Sequence, residues 1–181
     1  MSLNYNLIRY DLIINSANKK RYKMNFLFKK SWIFRLIMNI WPPLFFAGIR
    51  IKHISADFKT AQVELILRPW NKNAVGTHFG GSLFAMTDPF CMLMILAQLG
   101  NDYLVWDKAA DIDFIKPGKG KVSAEFLINQ NLIDEIIAKT ANGEKYLPKI
   151  IVYVKDEQGD IVAKLNRTLY IRKKKPNNTS K

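Results

Sequence analysis

A chain of 181 residues that is 49% apolar and 12% aromatic can bury one sizeable core, which excludes extensive disorder through its middle. A single cysteine, Cys91, excludes an internal disulfide, and two histidines far apart in sequence, His53 and His78, leave no Cys/His metal finger. The 28 Lys and Arg residues against 15 Asp and Glu give a net charge of +13, which favours an anionic partner such as nucleic acid, lipid headgroups or a phosphorylated substrate.

The first residues, MSLNYNLIRYDLIIN, have an early acid, no basic start and no small-residue cleavage pattern, so a cytoplasmic protein is expected. Between Asp11 and Asp57 there is no acidic residue and there are nine basic ones: Lys19, Lys20, Arg21, Lys23, Lys29, Lys30, Arg35, Arg50 and Lys52. Within this stretch, winding Phe26 to Trp41 as a helix gathers Phe26, Ile33, Ile37, Ile40 and Trp41 on one side. Such a basic amphipathic helix is expected to cover the domain that follows; the alternative is peripheral contact with an anionic membrane. Nucleic-acid binding is not expected, because no recognition motif accompanies the charge. The apolar run Leu36 to Ile49 is too short to cross a bilayer and is broken by Pro42 and Pro43.

Ile49 to Ser55 and Thr60 to Leu67 read as a strand pair around the Ala56-Asp57 turn. Ser82 to Leu99 is long enough to span a membrane but carries Asp88 and Pro89 near its middle, so it reads as a helix buried by protein, stopped at Gly100. Beyond it, Ala109 to Lys116, Lys121 to Gln130, Leu147 to Lys155 and Ile161 to Arg172 are strand candidates. The last two should form a hairpin about Asp156-Glu157-Gln158-Gly159, and Asn131 to Ala141 is a short helix ended by Asn142-Gly143. Without βαβα alternation, the order predicts an α+β domain in which an antiparallel sheet curls around one central helix. One sheet cannot cover a helix that is apolar all round, so a second copy of the chain is expected to cover the rest.

Asp88 is the only charged side chain from Asn73 through Asn101. A carboxylate in an apolar setting must be hydrogen-bonded, placed at a solvent-reachable seam or shifted in its proton affinity, and each condition suits a general base or nucleophile. Asp followed by Pro is equally a natural start for a helix at Pro89, and local chemistry alone leaves both readings open. Gly80 and Gly81 precede the helix, where free amides polarise a carbonyl oxygen or simply form a turn. Cys91, Met86, Met92, Met94, Trp70 and Trp106 read as packing residues, and His53 as a surface or interface histidine.

The run Asn73-Ala-Val-Gly76-Thr77-His78-Phe79-Gly80-Gly81, with Asp88 seven residues on, resembles the signature of hotdog-fold thioesterases of the phenylacetyl-CoA type. Together with PPLFFAGIR (Pro42 to Arg50) and VWDKAADIDFIKPGKG (Val105 to Gly120) it most resembles a branch of that superfamily known as a domain of unknown function, family 4442. The resemblance spans residues 40 to 172. It implies a hotdog domain over 46–172; the residues themselves add a basic helical extension over 1–45 before it and a basic, polar tail over 173–181, expected to be disordered, after it. It implies a homodimer or a dimer of dimers with sites between subunits, and an acyl-CoA or other acyl-thioester substrate. Asp88 would be the base or nucleophile, the Gly81 amide an oxyanion donor, and Asn73 a holder of the water or of the carboxylate. Gly80, Thr77, His78 and Phe79 would line the substrate. Asp107, in the following strand, is a second candidate with Lys108 as its ion-pair partner. A thioester is already activated, so neither metal nor other cofactor is required. Two departures bear on this: the family's His directly before the Gly pair is Phe79 here, and Pro89 removes a helix hydrogen bond to Ala85 and should bend or restart the helix. They keep open a module that binds acyl-CoA or lipid without turnover.

Overall fold

The computed structural model describes Phe28 and residues 30–175. In chain order the elements are α1 (Ser31–Ile40), α2 (Pro42–Ala47), β1 (Ile49–Ile54), β2 (Thr60–Ile66), α3 (Gly80–Ala85), α4 (Phe90–Leu99), β3 (Tyr103–Phe114), β4 (Lys121–Leu127), α5 (Gln130–Thr140), β5 (Lys145–Tyr146), β6 (Lys149–Asp156) and β7 (Ile161–Lys173). The strands form one antiparallel seven-stranded sheet in the order β1-β2-β4-β6-β7-β3, with the short β5 added on β7. This is the α+β arrangement anticipated: a sheet wrapped around one central helical segment.

The alternation of β7 places Ala163, Leu165, Leu169 and Ile171 against the helical segment, where all four are buried. They meet Met86, Phe90, Cys91, Met94 and Ile95 from the helical side, and Phe90 packs on Phe126 of β4 with ring centroids 5.1 Å apart. Gly80–Asp102 is long and apolar enough to cross a membrane by length and composition, but its most apolar residues lie inside the sheet's core. Met92, Leu93, Ala97 and Leu99 remain half-buried at the margin of that core.

The predicted single helix is two helices. Pro89 has no N–H to give to Ala85, so the Ala85 carbonyl accepts the Asp88 N–H at 3.2 Å instead. The Thr87 N–H and Oγ1 both donate to the Phe84 carbonyl, at 3.1 and 2.9 Å. The helix restarts when the Leu93 N–H donates to Pro89 at 3.0 Å. Asp88 thus sits in a tight turn between α3 and α4. The strand predicted from Ala109 begins six residues earlier, at Tyr103, because Tyr103 to Asp107 pair with β7 despite lacking an alternating pattern. At the other end β7 continues through Lys173, the residue at which the tail was expected to begin, and Lys174 donates from its backbone to Asp102 at 2.7 Å; 176–181 lie outside the described residues.

The two outer edges of the sheet are finished differently. On β1, the Ile51 N–H donates to Asn39 Oδ1 at 2.8 Å, Asn39 Nδ2 donates to the Ile51 carbonyl at 3.2 Å, and Arg35 Nη1 donates to the Lys52 carbonyl at 3.0 Å. Helix α1 therefore closes that edge. Strand β3, twelve residues long, is bonded to β7 and to no other strand among the described residues. Helix α1 buries Phe34 and Met38 rather than the expected set: Ile33 and Ile37 are half-buried, Ile40 and Trp41 exposed, and Phe26 outside the described residues. The Phe34 ring joins Phe28 and Phe58 in a cluster with centroids 5.6–5.9 Å apart. Phe58 holds φ of +56° to reach it, in a turn tied by Ser55 Oγ, which accepts from the Lys59 and Thr60 N–H groups.

Candidate functional site

The break between α3 and α4 points Asp88 at Arg167, a residue that sequence reasoning missed. Arg167 lies on β7 in the same alternating row as Leu165 and Leu169, so its side chain enters the core and is fully buried. A charge at an apolar position of a period-two pattern was the available signal. The guanidinium is shared: Nη1 donates to Asp88 Oδ1 at 3.2 Å and to Asp107 Oδ1 at 3.1 Å, and Nη2 donates to Thr87 Oγ1 at 3.0 Å. The face of Phe84 lies 5.2 Å from its central carbon, and Nε has no partner among the described residues.

Asp107 reaches this group through a β-bulge. Asp107 pairs with Leu169 and Ala109 with Thr168, so Lys108 is the extra residue. Asp107 therefore keeps the helix-facing side of β3, while Lys108 is exposed. The expected ion-pair partner, Lys108, is replaced by Arg167. Burial raises the proton affinity of Asp107, Arg167 pulls it back down, and the nearby Asp88 adds a smaller upward push. Asp88 differs in access, its side chain being 56% exposed against 23% for Asp107 and 0% for Arg167. It caps no helix: α4 begins with no side-chain cap hydrogen bond. Of the two readings left open for Asp88, tethering its own helix start is the one the geometry does not use.

The glycine pair opens α3, and neither its Gly80 nor its Gly81 N–H has a hydrogen-bond partner among the described residues. An aromatic ring lies close over each glycine. A Cβ on Gly80 would stand 2.9 Å from the Phe114 ring, and one on Gly81 would collide with the Phe79 ring. Phe79 and Phe114 are themselves largely exposed, so two aromatic rings flank the free amides.

The remaining predicted residues organise the approach loop. Asn73 Oδ1 accepts from the Val75 and Thr77 N–H groups at 3.1 and 3.0 Å, while Nδ2 donates to Thr77 Oγ1 at 2.9 Å and the His78 carbonyl at 3.3 Å. With its amide spent this way, Asn73 shapes the loop and does not hold Asp88; Thr77 is buried as its partner. His78 is also buried, its Nε2 3.1 Å from the Gly120 carbonyl and its ring against Gly118. Burial lowers its proton affinity. It anchors the turn after β3 and contributes nothing to the Asp88 group. Cys91, three residues past Asp88, is buried with its thiol pushed up to about 12 by burial, and so is inert. Among the described residues no group of three His, Cys, Asp or Glu side chains could hold a metal ion.

Comparison with known proteins places this geometry in a family. The family described as "Domain of unknown function (DUF4442)" matches residues 30–171. No curated protein matches the chain by sequence. Among solved structures, a protein of unknown function from Pseudomonas aeruginosa, described as a probable thioesterase, superposes with a TM-score of 0.70 at 16% identity, over 79% of this chain and 95% of that one. A thioesterase from Haemophilus influenzae gives 0.57 at 15% identity over 78% and 90%. A mutant thioesterase from Staphylococcus aureus gives 0.53 at 16% identity over 72% and 98%. At such identities the likeness establishes the frame, the hotdog fold of thioesterase-like proteins, and not the chemistry.

Proposed function

The chain belongs to the DUF4442 family, and from the carboxylate group set into this hotdog frame we propose that it hydrolyses acyl-CoA thioesters in the cytoplasm. The observation that carries the reading is Asp88: a solvent-reachable carboxylate in a helix break, oriented by a buried arginine, seven residues after two unpartnered glycine amides. In the proposed step Asp88 accepts a proton from a water molecule as its oxygen bonds to the thioester carbon. The Gly80 and Gly81 amides meet the charge that develops on the carbonyl oxygen. The C–S bond then breaks, the thiolate takes up a proton, and carboxylic acid and thiol leave. Phe79 and Phe114 give the acyl chain an apolar wall, and the net charge of +13 attracts a phosphorylated carrier. The decisive experiment is a thiol-release assay of the purified chain against acyl-CoAs of graded length. Turnover of at least one is expected; none at any length overturns the reading. Phe79, whose ring lies against Gly81, favours one alternative, a module that holds an acyl ligand without turnover. Tight binding of the same acyl-CoAs with no thiol released would select it.

We propose further that two copies pair through β3. Its outer edge has no strand partner among the described residues while α1 closes the opposite edge of the sheet, and the half-buried Met92, Leu93, Ala97 and Leu99 offer apolar surface to be covered. Two copies would carry Asp88, Asp107 and the aromatic wall to a shared cleft. Sedimentation velocity should return twice the 20.9 kDa of one chain, or four times it for a dimer of dimers. A monomer at micromolar concentration would remove the shared cleft.

A further inference from the structure

Helix α1 is apolar on two opposite faces, and only one of them is used. Phe34 and Met38 enter the core, whereas Trp32, Leu36 and Ile40, spaced four apart on the outer side, are 58, 56 and 62% exposed. The apolar strip continues through Trp41, Phe45 and Phe46, the last 71% exposed. A helix that had only to cover the domain would carry polar residues outward. Basic groups border the strip. Arg35 and Lys52 line a surface hollow with Trp32, Leu36, Asn39 and Ile51, and the Arg50 guanidinium lies 4.8 Å from the Phe45 ring centre. Among the described residues the one acidic contact of these groups is Glu64, 3.8 Å from Lys52. Just ahead in sequence come Lys19, Lys20, Arg21, Lys23, Lys29 and Lys30, with no acidic residue between Asp11 and Asp57.

We propose that this face of α1 and α2 seats on an anionic lipid bilayer, with Trp32, Leu36, Ile40 and Phe46 entering the headgroup boundary and Arg35, Arg50 and Lys52 lying at phosphate level. Charge decides among occupants. A second copy would set this basic border against itself across a two-fold axis, which repels. A neutral membrane would satisfy the aromatics and leave the cations without counter-charge, whereas an anionic surface satisfies both. Tryptophan and phenylalanine beside arginine is the composition that suits a membrane interface. The proposal is independent of any chemistry at Asp88, and its test needs no turnover.

The test is co-sedimentation of the full chain with phosphatidylcholine–phosphatidylserine vesicles and with phosphatidylcholine vesicles alone. Binding to the first is expected to exceed the second by about tenfold or more and to weaken as salt rises. The double variant Trp32→Ser/Phe46→Ser, which alters two exposed side chains and should keep the wild-type melting temperature, should lose at least about tenfold in vesicle binding. The double variant Arg35→Gln/Arg50→Gln should lose the preference for the anionic vesicles. No binding of the wild type to anionic vesicles overturns the proposal, as does equal binding of all variants. So does a change in oligomeric mass in Trp32→Ser/Phe46→Ser without vesicle binding by the wild type, which would assign the face to a second copy. Failure to bind unless residues 1–27 are removed would assign it to that segment.

Discussion

Arg167→Met should destabilise the fold by about 3 kcal/mol, the lower end of the range for breaking a buried ion pair, and so lower the melting temperature by roughly 6–12 °C in a domain of this size. The lower end applies because the two carboxylates are unequally buried. Asp88 is 56% exposed and water replaces most of what it loses, whereas Asp107 is 23% exposed and would be left without its cation. The Thr87 hydroxyl and Phe84 face lose a partner as well. Arg167→Lys should fall between wild type and methionine, since one ammonium cannot donate along both arms of the fork. The loss should depend on pH. Asp107 already binds its proton more tightly in the folded chain than in the unfolded one, and removing the guanidinium tightens it further. Above the unfolded value of about 4 the folded state then holds more protons than the unfolded state, so stability falls as pH rises. Thermal melts should show the gap between Arg167→Met and wild type narrowing towards pH 4 and widening towards neutrality. A gap of less than about 2 °C at pH 7 would mean that the group is solvated and not structural. Adding Asp107→Leu to Arg167→Met should recover much of the loss, because it removes the stranded charge.

How much of this was legible beforehand depended on what each signal measures. Period-two alternation located β7 and the turn residues Asp156 and Gly159 located its hairpin, since both are local. Pro89 foretold the helix restart, because a missing N–H is a property of one residue. The first half of β3 was not readable: Tyr103 to Asp107 is held by pairing with a strand about sixty residues away. Nor was Lys108 as a bulge, although that bulge is what turns Asp107 inward. What Asn73, Thr77 and His78 bond to was not legible, because hydrogen-bond partners are a tertiary property; the Asn73 amide is consumed within five residues of itself. The most informative residue missed, Arg167, was visible as a breach of the β7 pattern and would have named the partner of both carboxylates.

Asp88→Asn should reduce acyl-CoA hydrolysis by roughly 10²- to 10⁴-fold, the usual contribution of a positioned base, while leaving the melting temperature nearly unchanged. The amide oxygen can still accept from Arg167 Nη1, and the side chain is more than half exposed, so the variant separates chemistry from folding. Asp107→Asn tests a different role. Asp107 touches the reacting region only through Arg167, which makes it a positioning residue, and its replacement should cost about tenfold or less. The loss should fall on kcat and leave KM nearly unchanged, because Asp107 holds the guanidinium and does not face the acyl chain. Steady-state kcat and KM measured for the two variants decide between the roles. Full activity in Asp88→Asn ends the base assignment. Equal losses in both variants would mean that the carboxylates and Arg167 act only as one structural unit, with the water activated elsewhere.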